Sequence, residues 1–78
     1  MQFEFSLHSL EQIELCSISK EIVEFVINNP DDLLVDSDNQ QIFQKIVDNY
    51  LYRVFVNNDK NPSLIKTDYR TSKIIKYL

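Results

Sequence analysis

The chain has no glycine among its 78 residues, so its tight turns must be made by other residue types. Asparagine and aspartate are the residues that tolerate a positive φ best after glycine. They occur as three neighbouring pairs about ten residues apart: Asp38-Asn39, Asp48-Asn49 and Asn57-Asn58. This spacing is typical of hairpin turns, and it predicts a meander of strands in the second half of the chain.

Alternating β-forming residues predict four strands around these turns. They cover residues 33–36, 41–47, 50–56 and 63–69. Short connections make neighbouring strands antiparallel. Phe3–Phe5 also alternates, which is compatible with an extra short strand at the start.

Two helices are predicted before the strands. Ser6 or Ser9 is a suitable N-cap for the first, and Ser19 for the second, which stops before Pro30 because proline disfavours helix in the preceding residue. We therefore expect an α+β fold in which residues 1–78 form one domain, with two N-terminal helices packed on a four-stranded antiparallel meander.

Positive charge is concentrated at the carboxyl end. Residues 60–78 contain five basic residues and one acid, a net charge of +4, whereas residues 1–59 have a net charge of −8. The overall charge of −4 disfavours non-specific coating of nucleic acid, which requires neutralising many phosphates. A local group of cations can still bind a phosphate-bearing partner.

Composition limits the other classes. No apolar run is long enough for a membrane span, and the start of the chain lacks the pattern of a secretory signal. Cys16 is the single cysteine, so neither an internal disulfide nor a multi-cysteine zinc site is expected. We expect a cytoplasmic protein without a metal or cofactor.

Several short strings, in this order, are similar to those of a known family. They are Phe5-Ser6-x-His8-x-x-Glu11-Gln12, Ile18-Ser19-x-Glu21-x-Val23, Asn29-Pro30-Asp31, Gln44-Lys45, Tyr52-Arg53-Val54-x-Val56, and Tyr69-Arg70-Thr71-Ser72-Lys73 with Tyr77. Through them the chain resembles the small bacterial proteins of domain-of-unknown-function family 4258, themselves similar to RelE/BrnT-type toxins of toxin–antitoxin pairs. A typical member has Arg-Gly-Ile-Ser where this chain has Cys16-Ser17-Ile18-Ser19.

The resemblance implies a toxin that cuts messenger RNA without a metal, often on the ribosome, and that a cognate antitoxin protein silences. Such cleavage requires a base, cations that stabilise the phosphate, and an acid for the leaving oxygen. The residues proposed to be catalytic are His8, Arg53, Arg70 and Tyr77, and those proposed to bind RNA or phosphate are Lys66, Lys73 and Tyr69. This hypothesis requires the cations to converge on one hollow.

Each of these residues also has a plainer interpretation. Lys66 and Arg70 could form a charge ladder with Asp68 on one strand face, and Arg53 could pair with a carboxylate on a neighbouring strand. Tyr69 could lie in the core on the same face as Ile65. His8 could serve only as a residue of the first helix.

Two other functions remain open at this point. The domain could be a non-catalytic protein-binding module of the same fold, with an exposed sheet edge that accepts a strand from its partner. It could also form a homodimer through an exposed sheet face carrying Tyr50 and Tyr52. The sequence does not determine the oligomeric state.

Overall fold

The order of elements is that of an α+β fold. The computed structural model describes residues 3–37, 39–59 and 61–77, without the side chains of residues 36, 37 and 77. The elements are β1 (Phe3–Phe5), α1 (Leu7–Leu15), α2 (Lys20–Asn28), β2 (Asp32–Ser37), β3 (Gln40–Val47), β4 (Tyr50–Asn57), β5 (Ser63–Thr71) and a 3-10 helix (Ile74–Tyr77). None of the helices in these ranges is long and apolar enough to cross a membrane.

The sheet is mixed and has five strands, in the order β1-β5-β4-β3-β2. Strands β2 to β5 pair antiparallel, whereas β1 pairs parallel with β5. The extra short strand considered at Phe3–Phe5 is thus present, and β2 to β5 pair antiparallel as expected, but the sheet as a whole is not a four-stranded antiparallel meander because β1 adds a parallel fifth strand. The physical reason lies in β1, where Phe3 and Phe5 pack against the core, so that this short segment gains apolar burial as well as backbone hydrogen bonds.

Serine side chains cap both α-helices. Ser6 Oγ accepts a hydrogen bond from the backbone N–H of Ser9 at 3.0 Å, and Ser19 Oγ accepts one from that of Ile22 at 3.2 Å. Each bond satisfies a backbone donor that the first turn of a helix leaves without a partner. Of the two candidates for α1, Ser6 is the N-cap and Ser9 lies inside the helix, and the predicted N-cap Ser19 of α2 is confirmed.

Asparagine, aspartate and one serine, Ser17 (φ 55°), take the positive φ angles that glycine would otherwise supply. Asn39, Asp48 and Asn49 have φ values of 62°, 51° and 70°. Asp48 and Asn49 form the two-residue turn between β3 and β4, and positive φ at both positions matches the turn type that suits a twisted hairpin. The predicted positive φ is confirmed at Asn39 and at Asp48-Asn49, whereas neither Asn57 nor Asn58 of the third pair has a positive φ.

The main core lies between the sheet and the two α-helices. Its buried members are Ile18, Val23, Val26, Ile27, Phe43, Tyr52, Val54, Val56 and Ile65. We call the side of the sheet that packs on α1 and α2 the helix face, and the opposite side the outer face. Ile42 and Leu51 are also buried but belong to the outer face, because they alternate with the core residues of their strands.

A bulge in β5 decides which of its side chains reach each face. Thr67 pairs with Phe55, whereas Ile65 pairs with Val56, so Lys66 is an extra residue on this strand. Such an insertion shifts the alternation of side chains by one position. As a result Ile65, Asp68 and Arg70 share the helix face, and Thr67 and Tyr69 lie on the outer face.

Candidate functional site

Arg53 and Arg70 lie on opposite faces of the sheet. Arg53 of β4 pairs with Tyr69 of β5, and the adjacent row pairs Tyr52 with Arg70. Consecutive residues of a strand point to opposite faces, and the contacts follow this rule, because Arg53 bonds to Tyr69 and Arg70 bonds to Tyr52. These two guanidinium groups therefore do not share one hollow. The convergence of cations that the sequence-based nuclease hypothesis requires is absent for these two described residues, so a phosphate site could include Arg53 or Arg70 but not both.

Arg53 is the centre of a cluster on the outer face. Its Nε donates to Gln44 Oε1 at 2.6 Å, and its Nη1 donates to the Tyr69 hydroxyl at 2.6 Å. Gln44 is only 2% exposed, so its amide is fixed in position. At these register positions β3 and β5 supply an amide and a phenol as neighbours of Arg53.

Two aromatic rings complete this outer-face cluster of Gln44, Arg53, Phe55 and Tyr69. The rings of Phe55 and Tyr69 stack with their centroids 6.2 Å apart and their planes 24° apart. Arg53 Cζ lies 5.3 Å from the Phe55 centroid and 5.8 Å from the Tyr69 centroid. A partly exposed guanidinium beside aromatic faces is suited to a phosphate group and a stacked base. The interpretation of Tyr69 as a core residue beside Ile65 is wrong, because the bulge separates them.

Arg70 has a different environment on the helix face. Its Nη1 donates to the Tyr52 hydroxyl at 3.4 Å, and its Cζ lies 4.5 Å from the ring centroid of Tyr50. The hydrogen bond with Tyr52 holds the pKa of Arg70 above its ordinary value. Tyr52 is 6% exposed and belongs to the core under the helices, whereas Tyr50 is 37% exposed. The two tyrosines therefore do not form the open dimer surface considered above.

Asp68 is a buried carboxyl group on the helix face that sequence reasoning did not single out. It is fully buried, its Oδ2 accepts a hydrogen bond from Ser9 Oγ on α1, and its Oδ1 has no partner among the described residues. Burial raises the pKa of Asp68, while the bond from Ser9 and the charge of His8 oppose the rise. The sequence does contain a signal for this buried group, because Asp68 is an acidic residue within a run of alternating β-forming residues.

His8 and Lys66 lie apart from Arg53. His8 is exposed on α1 and is close enough to Asp68 to act on it electrostatically. Lys66 lies in the bulge, and its Nζ donates to Gln40 Oε1 at 3.0 Å. The charge ladder does not form, because Lys66, Asp68 and Arg70 each bond to a residue of another element.

The last two predicted site residues follow β5. Lys73 is exposed, and its backbone N–H donates to Thr71 Oγ1 at 3.1 Å. Tyr77 ends the 3-10 helix, but its side chain lies outside the described part of the structure. The structure therefore brings Arg53 and Tyr69 together and leaves His8 and Arg70 on the other side of the sheet.

A surface depression on α1 offers no second phosphate site. Its described lining is Glu11, Glu14 and Leu15, and the two carboxylates would repel a phosphate. Within residues 3–37, 39–59 and 61–77, no group of three or more histidine, cysteine or acidic side chains is placed to hold a metal ion.

Comparison with known proteins gave no match to any protein-family model, curated protein or solved structure. The function proposed next therefore depends on the residues of this chain and on their geometry.

Proposed function

We propose that this chain is the toxin component of a cytoplasmic toxin–antitoxin pair of the RelE/BrnT type, and that it contacts RNA through the outer-face cluster. The observation that supports this most is Arg53, which Gln44 and Tyr69 hold in position beside the stacked rings of Phe55 and Tyr69. The planar fork of arginine matches the oxygens of a phosphate, and any base can stack on an aromatic ring.

The proposed activity is metal-independent cleavage of messenger RNA. Arg53 would stabilise the negative charge that develops on the phosphate in the transition state. Such electrostatic stabilisation is often the largest contribution to the rate of an enzyme reaction. His8 is on the helix side of the sheet, beside Asp68, which separates it from Arg53 and leaves Tyr77 as the remaining candidate for proton transfer. Lys66 precedes Tyr69 in β5, and Lys73 lies just after the end of that strand. These two lysines would contact neighbouring phosphates of the RNA.

Regulated expression in a bacterium tests this function. We expect the unmodified chain to slow growth and to shorten transcripts, and Arg53→Gln to abolish both effects. Lys20→Gln is the matched control, since it removes one positive charge from an exposed position of α2 and should remain toxic. Normal growth and intact transcripts with the unmodified chain would rule out the nuclease, provided that circular dichroism shows a folded protein.

A second candidate function, protein binding without catalysis, is favoured by the exposed edge of β2. In the sheet order β2 has a neighbour on one side only, and Leu33, Leu34 and Val35 are 49%, 42% and 75% exposed. An unpaired edge with apolar side chains is a template for an added strand. Acidic residues precede and follow this run in the sequence.

The charges indicate which strand would pair there. Antiparallel pairing of two copies of β2 would bring the acidic ends together, and opposed like charges are destabilising. An extended segment of an antitoxin with basic residues around an apolar stretch would instead be complementary. An antitoxin could bind at this edge whether or not the chain cleaves RNA.

Co-purification with the product of a small neighbouring reading frame tests the β2 edge. We expect the complex to be lost with Val35→Lys and kept with Leu15→Lys, a control that places the same charge at an equally exposed site on α1 (75% and 78% exposed). Equal binding by both variants would show that the partner docks elsewhere.

A further inference from the structure

The surroundings of Arg70 are rich in hydrogen-bond donors and poor in acceptors. The chain has 12 acidic residues, yet Arg70 forms no ion pair with any described residue, and its described polar partner is the Tyr52 hydroxyl. Arginine has five N–H donors. Most N–H donors of Arg70 therefore have no acceptor among the described residues.

The Tyr52 hydroxyl adds a further donor. Its oxygen accepts the bond from Arg70 Nη1, and no described residue accepts its own O–H. Tyr52 is 6% exposed as a whole, but its hydroxyl bonds to Arg70, which is only partly buried, so the hydroxyl is the end of this side chain nearest to solvent. An anion that contacts both Arg70 and Tyr52 would satisfy these donors together.

Tyr50 orients the guanidinium. Its ring centroid lies 4.5 Å from Arg70 Cζ, which is within the range of a cation–π contact, so the ring limits the movement of the guanidinium. A stacked arginine loses less side-chain freedom on binding than an arginine that moves freely. Tyr50 itself is 37% exposed, which leaves the cluster accessible from solvent.

We propose that Arg70, Tyr52 and Tyr50 form a phosphate-binding site on the helix face, separate from the outer-face cluster. The ligand class is a phosphate dianion, either inorganic phosphate or a terminal phosphomonoester. A dianion gains more than a carboxylate from a guanidinium near the surface, and charge-assisted bonds to arginine are the stronger ones. The site does not depend on the proposed nuclease function, since Arg53 is on the other side of the sheet.

Titration of the ¹⁵N-labelled chain with inorganic phosphate, at constant ionic strength maintained with chloride, tests this site. We expect saturable shifts of the Tyr50, Tyr52 and Arg70 amides with a Kd on the order of 1 mM. Uridine 5′-monophosphate should give the same shifts, and acetate should bind at least tenfold more weakly.

Variants separate this site from the outer face. Arg70→Gln should weaken phosphate binding at least tenfold and Tyr52→Phe about threefold, whereas Arg53→Gln should leave it unchanged. Shifts that do not saturate, full affinity in Arg70→Gln, or equal affinity for acetate would overturn the proposal. If Arg70→Gln fails to fold, Tyr52→Phe decides the question, because full affinity there would remove the hydroxyl from the site and overturn the proposal as stated.

Discussion

Ser9 Oγ donates a hydrogen bond to the carboxyl group of Asp68, and both residues are completely buried. The bond joins the first turn of α1 to β5 across 59 positions of sequence. Because Asp68 Oδ1 has no described partner, Ser9 is the described group that compensates for burial of this carboxyl group. The pair therefore fixes α1 on the sheet through a contact that is sensitive to both mutation and pH.

We expect Ser9→Ala to destabilise the fold by about 1–3 kcal/mol, because it leaves a buried carboxyl group without its donor. Urea unfolding near neutral pH measures this change. Ser19→Ala is a useful comparison, since it removes only an exposed N-cap bond of α2 and should cost about 1 kcal/mol. In the double variant Ser9→Ala with Asp68→Asn, the loss should be smaller than the sum of the single losses, because the two side chains interact. Strict additivity would contradict the coupling.

The stability of the unmodified chain should depend on the proton held by Asp68. Its pKa is raised in the folded state, chiefly by burial, so the folded chain binds this proton more tightly than the unfolded chain. The contribution of Asp68 to stability is then fully present below its ordinary pKa and is lost as the pH rises through the raised value. We therefore expect the free energy of unfolding of Asp68→Asn, relative to the unmodified chain, to increase with pH across this interval. A difference that stays constant with pH would contradict this account.

Asp31 should show the opposite pH dependence. Its pKa is lowered, first by the backbone N–H of Ile46 and then by Lys45, whose Nζ lies 3.1 Å from Asp31 Oδ1. The contribution of this carboxylate is present above its ordinary pKa and is lost as the pH falls through the lowered value. We expect Asp31→Asn to lower the melting temperature near neutral pH and to have little effect in strong acid. Thermal unfolding at the two pH values checks the sign, and a larger effect in acid would refute it.

The local elements were predictable because their signals are short-range. Ser6 and Ser19 as N-caps, and Asp48 with Asn49 as a turn, depend on neighbouring residues alone. The positions of the strands in the second half follow from alternation in the same way. The chain without glycine makes these signals clearer, since few residue types can occupy the positive φ positions.

The composition of the site was not predictable, because it depends on pairing between distant segments. The bulge at Lys66 is set by the register of β4 against β5, and it puts Ile65 on the same face as Asp68 and Arg70, opposite Tyr69. Simple alternation over residues 63–69 misassigned Tyr69 to the face of Ile65. The parallel pairing of β1 with β5 also joins segments about 60 residues apart in the sequence. The three residues of β1 do not by themselves indicate which strand they pair with.

The turn between β3 and β4 allows a test of the backbone argument. Asn49 has a φ of 70°, which glycine adopts without the steric cost that other residues incur. We expect Asn49→Gly to stabilise the fold by less than about 1 kcal/mol and Asn49→Ala to destabilise it by a similar amount. Urea unfolding distinguishes the two signs. Equal effects of the two substitutions would show that the asparagine side chain, rather than its backbone angle, is important at this position.

The two parts of the outer-face cluster should affect RNA binding in different ways. Arg53→Gln removes a cation, so we expect weaker binding of a short single-stranded RNA and a salt dependence whose log–log slope falls by about 0.7. Tyr69→Leu removes a stacking ring and should weaken binding by roughly 1–3 kcal/mol with an unchanged slope. Tyr69→Phe keeps the ring but removes the hydroxyl that accepts from Arg53, so it should weaken binding by less than Tyr69→Leu. Fluorescence anisotropy at several salt concentrations measures both quantities, with Lys20→Gln as the charge control. If Arg53→Gln and Lys20→Gln change the slope equally, the RNA is attracted by overall charge and the cluster has no specific part in binding it.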